Sequence, residues 1–224
     1  MGTRLYISGG SEALEACRRA SDGIEVLPVS SLQEKIVLGR DESLKAVFVI
    51  LPGADCTIPL TVDIDGEGAS VELSGVYVCD GTDKVTLDVN VSHLSGRTTS
   101  RQLFNGIASG HSRAAFHGRI VVRQDSQKIK AFQENHNILL SPDARIETQP
   151  QLEIYADDVE CSHGATTGFL NADEQFYMRS RGIPEAEAKV LQIISFLSPA
   201  LAAIPSQKLR ETVASLVEDA VRSL

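Results

Sequence analysis

Between Ile58 and Phe169 the chain is a succession of short apolar–polar alternations: "TVDID", "SVELSGVYVCD", "KVTLDVNVSHL", "RQLFNGIA", "RAAFHGRIVV", "KIKAFQENHNILL", "ARIETQPQLEIYADD" and "VECSHGATTGFL". Period-two alternation bounded by turn residues predicts strands. Gly66, Gly68, Gly75, Gly81, Gly96, Gly106, Gly110, Gly118, Pro142 and Pro150 punctuate the runs, and helix signals are missing. Phe116, Phe132 and Thr148 recur at intervals of sixteen, as do Ile138 and Ile154. That recurrence fits stacked coils of a β-solenoid, each too small to bury a core by itself. It also fits an antiparallel sandwich or barrel of about eight strands. Spacing alone leaves both open.

The flanks read differently. Residues 1–57 have a small α/β character: "RLYISGG" predicts a strand and "SEALEACRRA" a helix with Ser11 as N-cap. "SLQEKIVLG" predicts a second helix ending at Gly39, and "KAVFVILPG" a buried strand stopped by Pro52 and Gly53. Residues 58–170 form the β core, and residues 171–224 a helical domain. There Asn171 and Glu174 make a capping-box pattern, Gly182 stands at a C′ position and Pro184 at N1. Pro199 predicts a kink and Pro205 a stop. Leu209, Val213, Leu216, Val217, Ala220, Val221 and Leu224 form one apolar stripe on the last helix. Val190, Leu191, Ile193, Ile194, Phe196 and Leu197 surround most of the middle helix, so it is either sandwiched or a docking face.

Composition narrows the class. An apolar fraction of 42% with 23% charged residues is that of a globular chain, and no apolar run is long enough to cross a bilayer as a helix. The start carries no apolar h-region, and the four cysteines (Cys17, Cys56, Cys79, Cys161) lie far apart. Reduced thiols and a cytoplasmic location follow as expectations. A net charge of −9 argues against nucleic acid as a partner. The stretch from Arg97 to Lys130 holds seven cations against Asp125 alone, either as a solvated face or as a surface for an acidic partner.

"DDVECSHGATTG" (157–168) contains a Cys-x-His pair, and on a strand Cys161 and His163 share one face. Thiolate with imidazole suits soft or borderline metals, but a structural zinc or an iron–sulfur cluster takes about four ligands. No nearby sequence completes the set. The pair is a buried thiol beside a hydrogen-bonded histidine, or half of a site completed by another chain. A nucleophilic dyad is disfavoured, because no third group orients the base. The chain has no P-loop, no G-x-S-x-G and no H-E-x-x-H. Asp157 and Asp158 would face opposite sides of a strand, so they cannot serve together as the acid pair of a solenoid glycosidase or lyase. No self-contained enzyme is legible. A β-solenoid carbohydrate-active enzyme and a purely structural solenoid remain the alternatives.

Four segments carry a family resemblance. "GEGASVELSGVYVCDG", "SRQLFNGIASGHSRAAFHGRIVVRQDSQKIKAFQENHNILLS", "IETQPQLEIYADDVECSHGATTG" and "EQFYMRSRGI" together resemble the SufB/SufD family of iron–sulfur cluster assembly proteins, from about Gly66 to the C-terminus. Gly164 stands where the SufB branch typically carries glutamate, so the chain looks SufD-like, in a short form. The resemblance implies a right-handed parallel β-helix followed by a C-terminal helical domain. It implies a non-catalytic scaffold that pairs with a SufB-like paralogue through the β-helix and docks a SufC-like ABC ATPase through its helices. A homodimer is the arrangement open to the chain in isolation. It implies no stably bound cofactor, only a transient cluster at an interface, with His163 and Cys161 as its half-site. Phe176, Tyr177, Arg179, Arg181, Gly182, Ile183, Ile193 and Ile194 become the expected ATPase contacts.

Overall fold

The computed structural model describes residues 2–224, and within them a parallel β-solenoid carries helices on one face. The strands are β1 (Thr3–Ser8), β2 (Glu25–Pro28), β3 (Lys35–Leu38), β4 (Ser43–Ile50), β5 (Asp55–Ile64) and β6 (Ser70–Cys79). They continue as β7 (Lys84–His93), β8 (Thr99–Ala108), β9 (Arg113–Val122), β10 (Ile129–Leu139), β11 (Arg145–Ile154) and β12 (Val159–Gly168). Successive strands alternate between two sheets, ordered β12-β10-β8-β6-β4-β1-β2 and β11-β9-β7-β5-β3. Every pairing is parallel. Thr148 is the Cα partner of Phe116, whereas Phe132, between them in sequence, lies in the other sheet. The sixteen-residue interval is therefore half a coil, which excludes the antiparallel alternative.

The corners repeat as well. Asp41, Gly68, Arg97 and Lys128 hold φ of 56°, 78°, 57° and 61°, one left-handed residue per coil. Gly53, Gly81 and Gly110 form the matching column on the other side, with φ of 86°, 57° and 61°. Glycine tolerates this region freely, and aspartate better than most other residues.

Residues 2–57 supply the first strands of both sheets rather than standing beside them. The helix expected over "SLQEKIVLG" does not form. Val29–Ser31 is a single 3-10 turn and Lys35–Leu38 is β3, with Ile36 and Leu38 buried and Lys35 and Val37 facing out. Alternation with β-branched residues outweighed the helical spacing once β5 was available as a neighbour. Helix α1 (Ser11–Arg19) does form, but Gly10 is its N-cap and Ser11 its first residue.

Inside the solenoid the rings of Tyr6, Phe48, Phe104 and Phe116 follow one another at 5.2, 6.1 and 5.3 Å. Outside the seven-stranded sheet, Leu5, Ile7, Val47, Val49, Val76, Val78 and Ile107 form a second apolar face. Helices α1, α3 (Glu185–Leu201) and α4 (Gln207–Arg222) cover it with Cys17, Ile193, Leu197, Leu209, Val213 and Val217. That coverage explains why the second halves of β4 and β6 are buried on both faces. Pro199 stays inside α3 near its end. It leaves the Ser195 carbonyl without a backbone donor, and the Ser198 hydroxyl donates to it at 3.1 Å. Asn105 reaches from β8 and donates to the Phe196 carbonyl at 2.6 Å, tying α3 to the sheet. No helix among the described residues is long and apolar enough to cross a membrane.

Candidate functional site

Each coil covers the one before it, but the last coil is incomplete. β12 is the edge of the seven-stranded sheet and β11 the edge of the five-stranded one, so the C-terminal end of the solenoid presents two unpaired strand edges side by side. Such edges are templates for another chain. Pro150 in β11 is tolerated there because an edge strand need not donate on its outer side.

The register places the Cys-x-His pair at this end. Cys161 is the Cα partner of Ala131 and His163 that of Gln133. Ala131 and Gln133 are both fully buried and face the interior, so Cys161 and His163 lie on the interior face of β12, as the alternation predicts. No further coil covers them. Cys161 is half-buried and His163 exposed. Burial pushes the Cys161 thiol above its usual value, and a backbone hydrogen bond at Ala131 offsets part of that. The thiol is thus protonated at neutral pH, and binding a metal through it would release a proton. Among the described residues no group of three or more His, Cys, Asp or Glu side chains is placed to hold a metal ion. Sulfur and imidazole are donors that a borderline metal accepts, and two of them fall short of a closed coordination sphere.

Behind this end the interior turns polar, which sequence reasoning missed. Gln102, Gln133, Asn135, Asn137 and Tyr77 are all at most 2% exposed. Gln133 Nε2 donates to Gln102 Oε1 at 3.0 Å. Asn135 Nδ2 donates to the Phe104 carbonyl at 3.0 Å and to the Tyr77 hydroxyl at 3.1 Å, and Asn137 Nδ2 donates to Asn135 Oδ1 at 2.7 Å. The signal was in "AFQENHN": Ala131 fixes the inward parity, and Gln133, Asn135 and Asn137 share it.

The other expected residues gather at α2 (Ala172–Ser180). Asn171 caps it, accepting from the amides of Asp173 and Glu174 at 2.9 and 3.2 Å. Gly182, at φ 87°, ends it, with its own N–H donating to Arg179 O and that of Ile183 to Met178 O. No residue of α2 is buried. Phe176 and Tyr177 are 73% and 60% exposed, and the Arg181 guanidinium lies 5.3 Å from the Tyr177 ring centroid. Arg179 pairs with Glu185 at 3.6 Å. Tyr177, Leu191, Phe169 and Ile138 flank a groove of about 840 Å³ between α2, α3 and the sheet. Two expected contacts do not belong to this surface. Ile193 is 3% exposed because it packs on the apolar face shared with α4, and Ile194 is half-buried against the same cluster. The middle helix is sandwiched along Ala188, Ile193, Leu197 and Ala200, and Leu191 is an exposed large apolar residue on its outer side.

Two further features resolve into structure. The basic stretch does not form one surface: Arg101 and Lys130 lie on the seven-stranded sheet and Arg119 on the five-stranded one. Arg97, Arg119 and Lys130 pair with Glu67, Glu153 and Glu160. Asp157 and Asp158 occupy the bend before β12.

The chain is thus a parallel β-solenoid with an uncompleted end, flanked by a helical layer and a capped, exposed helix. Residues 29–196 match the family model for the SUF system FeS cluster assembly, SufBD core domain, and the chain belongs to that family. The match begins well before Gly66, because the first coils are already built from residues 29–65. The chain is 33% identical over 178 residues to the iron–sulfur cluster assembly protein SufD of Escherichia coli, covering 80% of this chain and 42% of that one. It is 41% identical over 138 residues to the iron–sulfur cluster assembly SufBD family protein slr0076 of Synechocystis, covering 62% and 29%. With the SufD of Bacillus subtilis it shares 27% over 184 residues, covering 82% and 42%. The chain spans less than half the length of these curated relatives.

Proposed function

We propose that this chain is a non-catalytic scaffold subunit of a SufBCD-type complex in the cytoplasm. It pairs with a SufB-like paralogue through the open end of the solenoid, and a SufC-like ATPase docks on α2 and the groove beside it. The observation that carries this reading is the position of Cys161 and His163 on the interior face of a terminal strand whose outer edge has no neighbour. A partner that extends β12 and β11 also covers these two side chains, so the strand edges and the donor pair are completed by one event. The nascent iron–sulfur cluster is the cargo of that chamber: this chain supplies one sulfur and one nitrogen donor, and the paralogue supplies the rest. Nucleotide hydrolysis belongs to the ATPase partner.

Co-expression with SufB-like and SufC-like chains tests the reading. The expected result is a stable complex that builds up clusters, and loss of build-up in His163→Ala without loss of assembly. Normal cluster build-up by that variant in the intact complex would falsify the half-site assignment. In the absence of the paralogue, the same edges would pair two copies of this chain.

A further inference from the structure

The polar interior behind β12 contains buried atoms with no partner. Gln133 is 0% exposed, and its Oε1 has no hydrogen bond. The Nε2 of the same amide is committed to Gln102 on β8. The amide is therefore anchored on one side and leaves its acceptor for the other neighbour, β12, where the residue in register is His163. Gly118 of β9 faces the amide so closely that a Cβ there would lie 2.4 Å from Gln133 Nε2, which fills the space across the solenoid. Two further unpartnered buried atoms lie close in the stack: Gln102 Nε2, on the amide that Gln133 bonds, and Thr148 Oγ1 on β11, the other terminal strand. A buried acceptor left unpaired is destabilising, and an apolar side chain of similar shape would avoid that cost. Such atoms call for a role that the separate chain does not yet fulfil.

We propose that Gln133 is a positioning residue for His163, its Oε1 accepting the imidazole N–H when a partner closes the solenoid. The inference rests on the shared-chamber reading above. A histidine that ligates a metal through one nitrogen commonly donates the N–H of the other, and this hydrogen bond selects the tautomer and fixes the ring. With one N–H tied to the buried amide, the remaining nitrogen has its lone pair turned toward the chamber. Closure also removes His163 from water, so the exposed imidazole of the separate chain becomes an oriented ligand only upon assembly.

The test uses the assembled complex with its SufB-like and SufC-like partners, with Co2+ as the probe metal followed by its absorption spectrum. Gln133→Met keeps the volume and removes the acceptor; Gln133→Glu keeps an acceptor oxygen. Loss of a second-layer hydrogen bond typically weakens metal binding about 10- to 100-fold. The expected result is a loss of that size for Gln133→Met, with binding by Gln133→Glu within about threefold of the parent. Co2+ affinity unchanged in Gln133→Met overturns the inference, and so does an equal loss in both variants. A structure of the unaltered complex decides the matter even where a variant fails to assemble: a His163 ring nitrogen within hydrogen-bond distance of Gln133 Oε1 supports the inference, and a wider separation overturns it. If instead His163→Ala leaves both Co2+ affinity and cluster build-up intact, the chamber reading itself has failed. Sensitivity to His163→Ala with indifference to Gln133→Met removes only the positioning role.

Discussion

Tyr77 and Asn137, 60 residues apart, are joined by a hydrogen bond from the tyrosine hydroxyl to the asparagine side-chain oxygen. The bond passes across Gly106, which is the Cα partner of both. The ring lies against that position, and a Cβ on Gly106 would stand 2.0 Å from its nearest carbon. Gly106→Ala should therefore force the ring or the strand aside and destabilise the fold by about 1–3 kcal/mol, the usual scale of overpacking. Urea unfolding checks this: the midpoint should fall at unchanged slope, and an unchanged midpoint would show that the interior can give way.

His93 gives a pH dependence. It is fully buried between the hydroxyls of Thr98 and Ser100, at 2.7 Å from Nδ1 and 2.8 Å from Nε2. These groups can satisfy a neutral ring, which needs one donor and one acceptor. Burial lowers its pKa from 6.5 to about 4. Between those values the unfolded chain binds the proton and the folded chain does not, so this contribution to stability is complete above about pH 6.5 and is lost as pH falls toward 4. At pH 5 the loss attributable to His93 should be about 2 kcal/mol. Urea titrations of the parent and His93→Gln at pH 5 and pH 8 isolate the effect: the variant should show a smaller drop, and equal drops would assign the pH dependence elsewhere.

Alternation along β5 to β12 makes the strands legible from residue order alone, and the parity of "VECSH" places Cys161 and His163 on a common face. Their position at an unfinished end is not legible in the same way, since it depends on which strand has no neighbour, a property of the stack rather than of any segment. The failed helix at "SLQEKIVLG" has a similar origin: four residues of β3 gain their hydrogen bonds from β5, far along the chain. Ile193 misled for the opposite reason. A helix apolar nearly all round reads as a docking face until α4 is seen to lie against it. The inward glutamine and asparagines escaped notice because polar residues on a strand are ordinarily counted as its wet face.

Ile193 and Tyr177 separate stability from docking. Ile193 belongs to the apolar core between the sheet and α4, and Ile193→Ala should cost about 2–5 kcal/mol. Tyr177 is 60% exposed, and Tyr177→Ala should leave the unfolding midpoint nearly unchanged. If the ATPase docks on α2, Tyr177→Ala should weaken its binding at least tenfold, as loss of an interface aromatic often does. Calorimetric titration of the SufC-like chain measures this directly, and parental affinity in Tyr177→Ala would move the docking surface away from α2.

Helix α2 is nine residues long and buries none of them, so its order depends on its two ends. Asn171 supplies the N-terminal cap, and Gln192 of α3 donates to the Asn171 carbonyl at 3.1 Å and to Glu174 at 2.8 Å. At the other end Gly182 adopts a φ of 87° that a side chain resists. Asn171→Ala should remove about 1 kcal/mol from this segment, and Gly182→Ala a similar amount. Because α2 contributes no core, the loss should be local: faster amide exchange from Gln175 to Ile183, with the global urea midpoint unmoved. The double variant should bind the SufC-like chain more weakly than either single variant, since a frayed helix must be ordered before its aromatic residues can engage. Fast exchange throughout α2 in the parent protein would show that the caps do not hold it, and binding would then have to supply the order itself.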